Sequence, residues 1–122
     1  MIHTLPGTYV AVTQILHAVM RIAAEHHRAG RTKEARAMYL EVLALDPRHS
    51  DALFLLGVLE RQAGRLEESR RRLNEAARWA ADRAPVDAEL RVVEQLLYRQ
   101  SRRPVHAWHK TDCSALPMMA RA

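Results

Sequence analysis

The chain has 122 residues, is 48% hydrophobic and 27% charged, and carries a formal net charge of +5. That length limits it to one domain, and that composition argues for a folded chain and against disorder. Basic and acidic side chains are interleaved along the sequence, so the positive balance lacks the concentrated block expected of a dedicated nucleic-acid binder. The single Cys113 excludes an internal disulfide and fits a reducing compartment. Met1–Pro6 lacks a basic n-region, and the most apolar run, Tyr9–Ala24, is interrupted by Thr13, Gln14, His17 and Arg21. No signal peptide or membrane span is therefore expected, and the expected location is cytoplasmic.

Residues 1–7 read as a lead-in ended by Pro6-Gly7, with Thr8 as the N-cap of a first helix running to about Ala29. Its apolar stripe is Val12, Ile15, Val19, Ile22 and Ala23. Gly30 sits where a left-handed residue closes a helix. Thr32 is placed to cap a second helix that carries Glu34 near its positive end and Ala35, Tyr39, Val42 and Leu43 inward. Asp46-Pro47 stops it, because proline cannot continue a helix. Ser50 or Asp51 caps a third helix bearing Ala52, Leu53, Leu56, Gly57 and Leu59, and Gly64 closes it. The fourth, from about Leu66, turns Ser69, Leu73, Ala76, Ala77 and Trp79 inward and breaks between Asp82 and Pro85. A fifth, over about 85–102, places Val86, Leu90, Val93 and Leu97 on one face. Arg103-Pro104 stops it, and residues 104–122, without periodicity, are expected to be a flexible tail.

The tripeptide Ala-Gly-Arg occurs at 29–31 and again at 63–65, 34 residues later. Ala18 and Ala52, Glu34 and Glu68, Arg36 and Arg70, and Glu41 and Glu75 repeat at the same spacing. Such a period is the length of a two-helix solenoid unit. The turn does not return at 97–99, where Leu97-Tyr98-Arg99 stands, so a third unit is only half present and the fifth helix acts as a cap. On these residues the chain resembles two tetratricopeptide repeats, over about 16–49 and 50–83. In the second, Leu56-Gly57, Gly64, Ser69 and Ala76 fall on the small and apolar positions of the family pattern; in the first, Ala23, Gly30, Ala35, Tyr39 and Pro47 do. Val19 and Leu53 replace the usual tryptophan, His26 and Glu60 the first tyrosine, and Ala80-Ala81 an Asp-Pro. The second unit also looks like the N-terminal repeats of large bacterial glycosyltransferases and sulfotransferases.

The resemblance implies an all-α solenoid of antiparallel helix pairs, a right-handed superhelix of about five helices over residues 8–103. It implies a non-catalytic module that binds a peptide or an amphipathic helix in a concave groove. In the 34-residue frame the groove residues are His17, Met20, Ala24 and His27, then Asp51, Phe54, Val58 and Arg61, then Ala88, Val92, Gln95 and Leu96. The positions at which some relatives clamp a C-terminal carboxylate hold Met20, Ala24, Leu55 and Val58, so no such clamp is expected. The same residues suit two other readings of the surface. One is self-cover or a homodimer, through the groove or through Val92 and Leu96 on the last helix, or docking onto a catalytic domain of a larger enzyme. The other is a weak nucleic-acid or anionic-surface binder.

Candidate chemistry is sparse. His106, His109 and Cys113 have the spacing H-x2-H-x3-C, which could present two imidazoles and a thiolate to a metal. A structural site normally needs four ligands, so no metal and no cofactor are expected. His26 and His27 point to different helix faces. Arg70, Arg71 and Arg72, with Arg61, Arg65 and Arg78, are expected to form an ion-paired surface with Glu67 and Glu68. No phosphate loop, H-E-x-x-H or nucleophile elbow occurs, so the chain is not expected to be an enzyme.

Overall fold

The computed structural model describes residues 6–102; the tail over 104–122 and the His106, His109 and Cys113 triplet lie outside the described residues. Five helices follow in order: α1 (Pro6–Arg28), α2 (Thr32–Leu45), α3 (Ser50–Gln62), α4 (Leu66–Trp79) and α5 (Ala84–Ser101). No strand is present among the described residues. The period seen in the sequence is copied into the element bounds. The two 14-residue helices α2 and α4 occupy positions displaced by one period at both ends. The same displacement relates the starts of α3 and α5 and the ends of α1 and α3. Each helix packs chiefly on its neighbours in sequence, and α3 also touches α5. The described residues therefore form an α-solenoid of two helix pairs and a final single helix.

The two Ala-Gly-Arg turns are built alike. Gly30 and Gly64 have φ of 84° and 86°, the left-handed region that glycine enters without a Cβ clash. Around each, two backbone bonds close the preceding helix in the Schellman arrangement. Arg31 N–H donates to the His26 carbonyl and Gly30 N–H to that of His27, at 2.9 and 3.1 Å. Arg65 N–H donates to the Glu60 carbonyl and Gly64 N–H to that of Arg61, both at 2.9 Å. The arginine then opens the next helix, its carbonyl accepting from Ala35 or Ser69.

The helix starts differ from the sequence expectations. α1 begins at Pro6, so Thr8 lies inside its first turn and does not cap it. Arg31 is the N-cap of α2 with no side-chain cap bond, and Thr32 is already helical. His49, not Ser50 or Asp51, caps α3: its Nδ1 accepts from Ala52 N–H at 3.2 Å.

The core is a continuous band of Ala23, Ala35, Tyr39, Val42, Leu56, Leu59, Leu73, Ala76 and Val93, all essentially sealed from solvent. α3 and α4 approach closely because residue 57 is glycine. A Cβ there would lie 2.7 Å from Leu73 Cγ, and the Ser69 hydroxyl donates to the Gly57 carbonyl across the gap at 2.7 Å. α5 closes the array with Val86 and Val93 buried.

Two expected core assignments are overturned. On α1 the buried residues are Leu16 and Ala23, with Val19 and Met20 packed beside them, whereas Val12, Ile15 and Ile22 are 45%, 58% and 44% exposed. Periodicity fixes which residues share a stripe, but the neighbours decide which stripe is covered. α1 has α2 on one flank and no preceding helix pair among the described residues. Trp79 lies at the surface and not in the core. Its ring is covered by the Arg48 guanidinium, 4.4 Å from the ring centroid, with Arg78 at 5.4 Å, a cation–π arrangement. No helix among the described residues is long and apolar enough to cross a membrane.

Candidate functional site: the concave groove

The first helices of successive units, α1, α3 and α5, present the residues that the 34-residue frame assigned to the groove. Between α1 and α3 lies an open hollow of about 470 Å³. Met20, Ala24, Phe54 and Leu55 supply its apolar surface, and His17, Arg21, His49 and Asp51 its polar edge. A second hollow of about 370 Å³ adjoins it, sharing Ala24 and Leu55 and lined also by His27, Arg28, Tyr39 and Gln62. Of the expected groove residues, His17, Met20, Ala24, His27, Asp51 and Phe54 thus line these two adjoining hollows, which together make up the channel. Met20, Phe54 and Leu55 also rest on the buried core, which holds their rotamers.

The inner end of the channel is organised by hydrogen bonds. His27 Nε2 lies 2.7 Å from Gln62 Oε1 and its Nδ1 lies 3.3 Å from the Tyr39 hydroxyl. Because the amide oxygen only accepts, Nε2 carries the proton and Nδ1 receives the phenol's. The two rings meet edge to face, with centroids 6.1 Å apart. Burial pushes the Tyr39 phenol above its ordinary pKa, and the nearby Arg28 charge pulls it back in part. The phenol therefore stays protonated and available as a donor.

The remaining expected residues separate from this channel. Arg61 pairs with Glu89 across to α5, so its charge is neutralised in place. Ala88, Val92 and Gln95 border a wider hollow of about 820 Å³ along α5, beside Asp87, Arg91, Glu94 and Tyr98. Val58 is half-buried and lines none of these hollows. Leu96 packs on the core, while Val92 is exposed. Sequence reasoning missed Arg21, Arg28, Tyr39, His49, Leu55 and Gln62 as lining residues. Arg21 was legible, since it stands one period before Leu55 and shares its column. His49 lies before the expected cap and had no signal.

In the arginine-rich face Arg70, Arg71 and Arg72 pair with Glu67 and Glu68 as expected, whereas Arg61 and Arg65 pair with Glu89 and Glu60 and Arg78 lies over the Trp79 ring. Arg70 meets Glu67 at 2.7 Å, Arg71 meets Glu68, and Arg72 Nε lies 3.3 Å from Glu68. Glu67 thus reaches Arg70 and not Arg71. Deeper down, the sealed Glu60 carboxylate takes bonds from Arg36 of α2, at 2.9 Å, and from Arg65. No group of three or more His, Cys, Asp or Glu side chains placed to hold a metal occurs among the described residues.

A family model described as Tetratricopeptide repeat matches residues 26–90, more than half of the chain. The chain belongs to the tetratricopeptide repeat family. Comparison with curated proteins gave no match. The matched span contains both glycine turns, all of α2, α3 and α4, and the first part of the capping helix. Tetratricopeptide repeats are in general protein–protein interaction modules and are typically non-catalytic. In this member two of the residues at pattern positions make specific contacts. Glu60, in a tyrosine's place, is the buried anchor of two arginines, and Ser69, in an alanine's place, bonds the Gly57 carbonyl.

Proposed function

We propose that this tetratricopeptide repeat chain is a non-catalytic interaction module whose α1–α3 channel takes one amphipathic helix or short apolar peptide. The observation that carries this reading is the hollow lined by Met20, Ala24, Phe54 and Leu55 and edged by His17, Arg21, His49 and Asp51. An apolar floor with a few polar groups at its edge is the usual form of a groove that accepts bulky anchors at helical spacing. The channel follows α1 from His17 to His27, about 15 Å at helical rise, so it matches two or three turns of a bound helix. Arg21 and Arg28 border it and Asp51 is its one acidic residue, which favours a ligand with acidic flanks.

The test is selection of helical peptides from a displayed library against the full chain, followed by titration of a selected peptide. A double variant, Met20→Glu with Phe54→Glu, is expected to weaken binding at least tenfold, about 1.4 kcal/mol, while circular dichroism stays that of the wild type. Chemical-shift changes should cluster on α1 and α3. Selected peptides that bind the folded variant as tightly, or whose shifts map elsewhere, would sink the groove reading.

A further inference from the structure

The face of α1 opposite the channel is apolar and open. Ala11, Ile15, Ala18 and Ile22 follow one another at helical spacing, with Val12 on the same side, and Ile15, Val12 and Ile22 are among the most exposed large apolar side chains. The repeat frame shows what such a face does elsewhere in this molecule. Ala18 and Ile22 correspond to Ala52 and Leu56 of α3 and to Val86 and Leu90 of α5. Ala52, Leu56 and Val86 are buried and Leu90 is packed against the core, because a helix of the preceding unit lies over them, α2 on α3 and α4 on α5. α1 keeps the apolar residues without that cover among the described residues. It also starts ten residues before the frame, at Pro6 where Ser50 marks the start of α3, and this overhang adds Val12 and Ile15.

The opposite end of the array is finished differently. The α5 residues that correspond to Leu53, Gly57 and Glu60 are Asp87, Arg91 and Glu94, a charged surface. A second copy stacking head to tail would press those charges, two of them in surface pairs with Arg83 and Arg70, onto Ile15 and Ile22, and taking them out of water against apolar side chains is unfavourable. The α1 face is, by contrast, complementary to itself. Two α1 helices laid antiparallel with Ile15 opposite Ala18 of the partner subunit also place Ala11 opposite Ile22 of the partner subunit. Ile15 and Ile22 then each meet an alanine over about 17 Å of helix, the size alternation that facing helices need in order to interdigitate. We infer that this face seats a second copy of the chain, giving a two-fold dimer through antiparallel α1 helices that leaves both peptide channels open. Such an isologous contact closes on itself and forms no filament.

Sedimentation velocity of the full chain over a wide concentration range tests this. The expected result is a monomer–dimer equilibrium whose dissociation constant rises roughly 30-fold or more in Ile15→Glu with Ile22→Glu, the loss typical of central interface residues. Both positions are exposed, so helicity should be unchanged. In a Cys113→Ser background, mixing Ile15→Cys protein with Ala18→Cys protein should give a disulfide-linked pair, since facing Cβ atoms meet the distance such a bond needs. Mixing Ile15→Cys with Glu94→Cys should not. A single-copy mass at every concentration, a dimer that survives the two glutamates, or cross-linking through residue 94 would each overturn the inference. So would a wild-type monomer that dimerises only after residues 1–5 are removed, which would assign the face to the chain's own N-terminus.

Discussion

Gly57 and Ser69 set how near α3 and α4 can come. A methyl at position 57 would meet Leu73 Cγ at 2.7 Å and Cδ2 at 2.8 Å, and Leu73 is itself sealed in the core. Gly57→Ala gains up to about 1 kcal/mol of helix propensity but overpacks the contact, which costs roughly 1–3 kcal/mol. A net loss of stability is expected in urea unfolding. An unchanged or raised midpoint would show that Leu73 can yield. At the same scale, Tyr39 and His27 show how a core residue reaches function. The phenol is buried among core side chains, and its hydroxyl fixes the ring that borders the channel.

Between elements, the arginine of Ala-Gly-Arg has a role that goes beyond the turn. Arg65 reaches back to Glu60, and Arg31 Nε donates to His26 Nδ1 at 2.8 Å, one period earlier. The link to the next unit repeats too. Arg36 joins Glu60, and Arg70 lies 3.9 Å from Glu94. In the Glu60 cluster the carboxylate is fully covered while Arg36 and Arg65 keep 39% and 49% exposure. The two kinds of deletion should therefore differ. Glu60→Leu frees two arginines that water can solvate, and about 1 kcal/mol is expected to be lost. Arg36→Ala with Arg65→Ala strands a buried carboxylate and should cost about 3–5 kcal/mol. Chemical denaturation gives the order, and the reverse order would contradict this account. The glycine turns and the order of the five helices were legible in the sequence because the period carries them, whereas the starts of α1, α2 and α3 were misplaced. The buried side of α1 was not legible, because Ile15, Ile22 and Leu16 are equally apolar and only the neighbours choose among them. Trp79 misled for a related reason: its size suggests a core residue, yet Arg48 comes from a different loop to cover it.

Across the whole molecule, stability is a chain of nearest-neighbour contacts, strongest between α3 and α4 and handed outward to α1 and α5. Amide hydrogen exchange of dilute protein should be slowest in α3 and α4 and faster over residues 10–15 of α1, which are mostly exposed. Uniform protection over all five helices would mean that the array unfolds only as one unit. The channel was also partly legible at this scale. Columns of equivalent residues brought His17, Met20, Ala24, Asp51 and Phe54 together, but the Arg61–Glu89 pair between α3 and α5 joins two columns that periodicity treats as independent.

The copied arginine–glutamate links have one more consequence. Arg36 to Glu60 and Arg70 to Glu94 link successive units by the same pair of positions, so the second unit carries a coupling residue at both ends, Glu60 and Arg70, whereas the first has His26 in the glutamate's place. A gene segment encoding the second unit can then be duplicated in place, and the inserted unit would bring the charges its neighbours require. Length becomes a variable that duplication can alter without new contacts being devised.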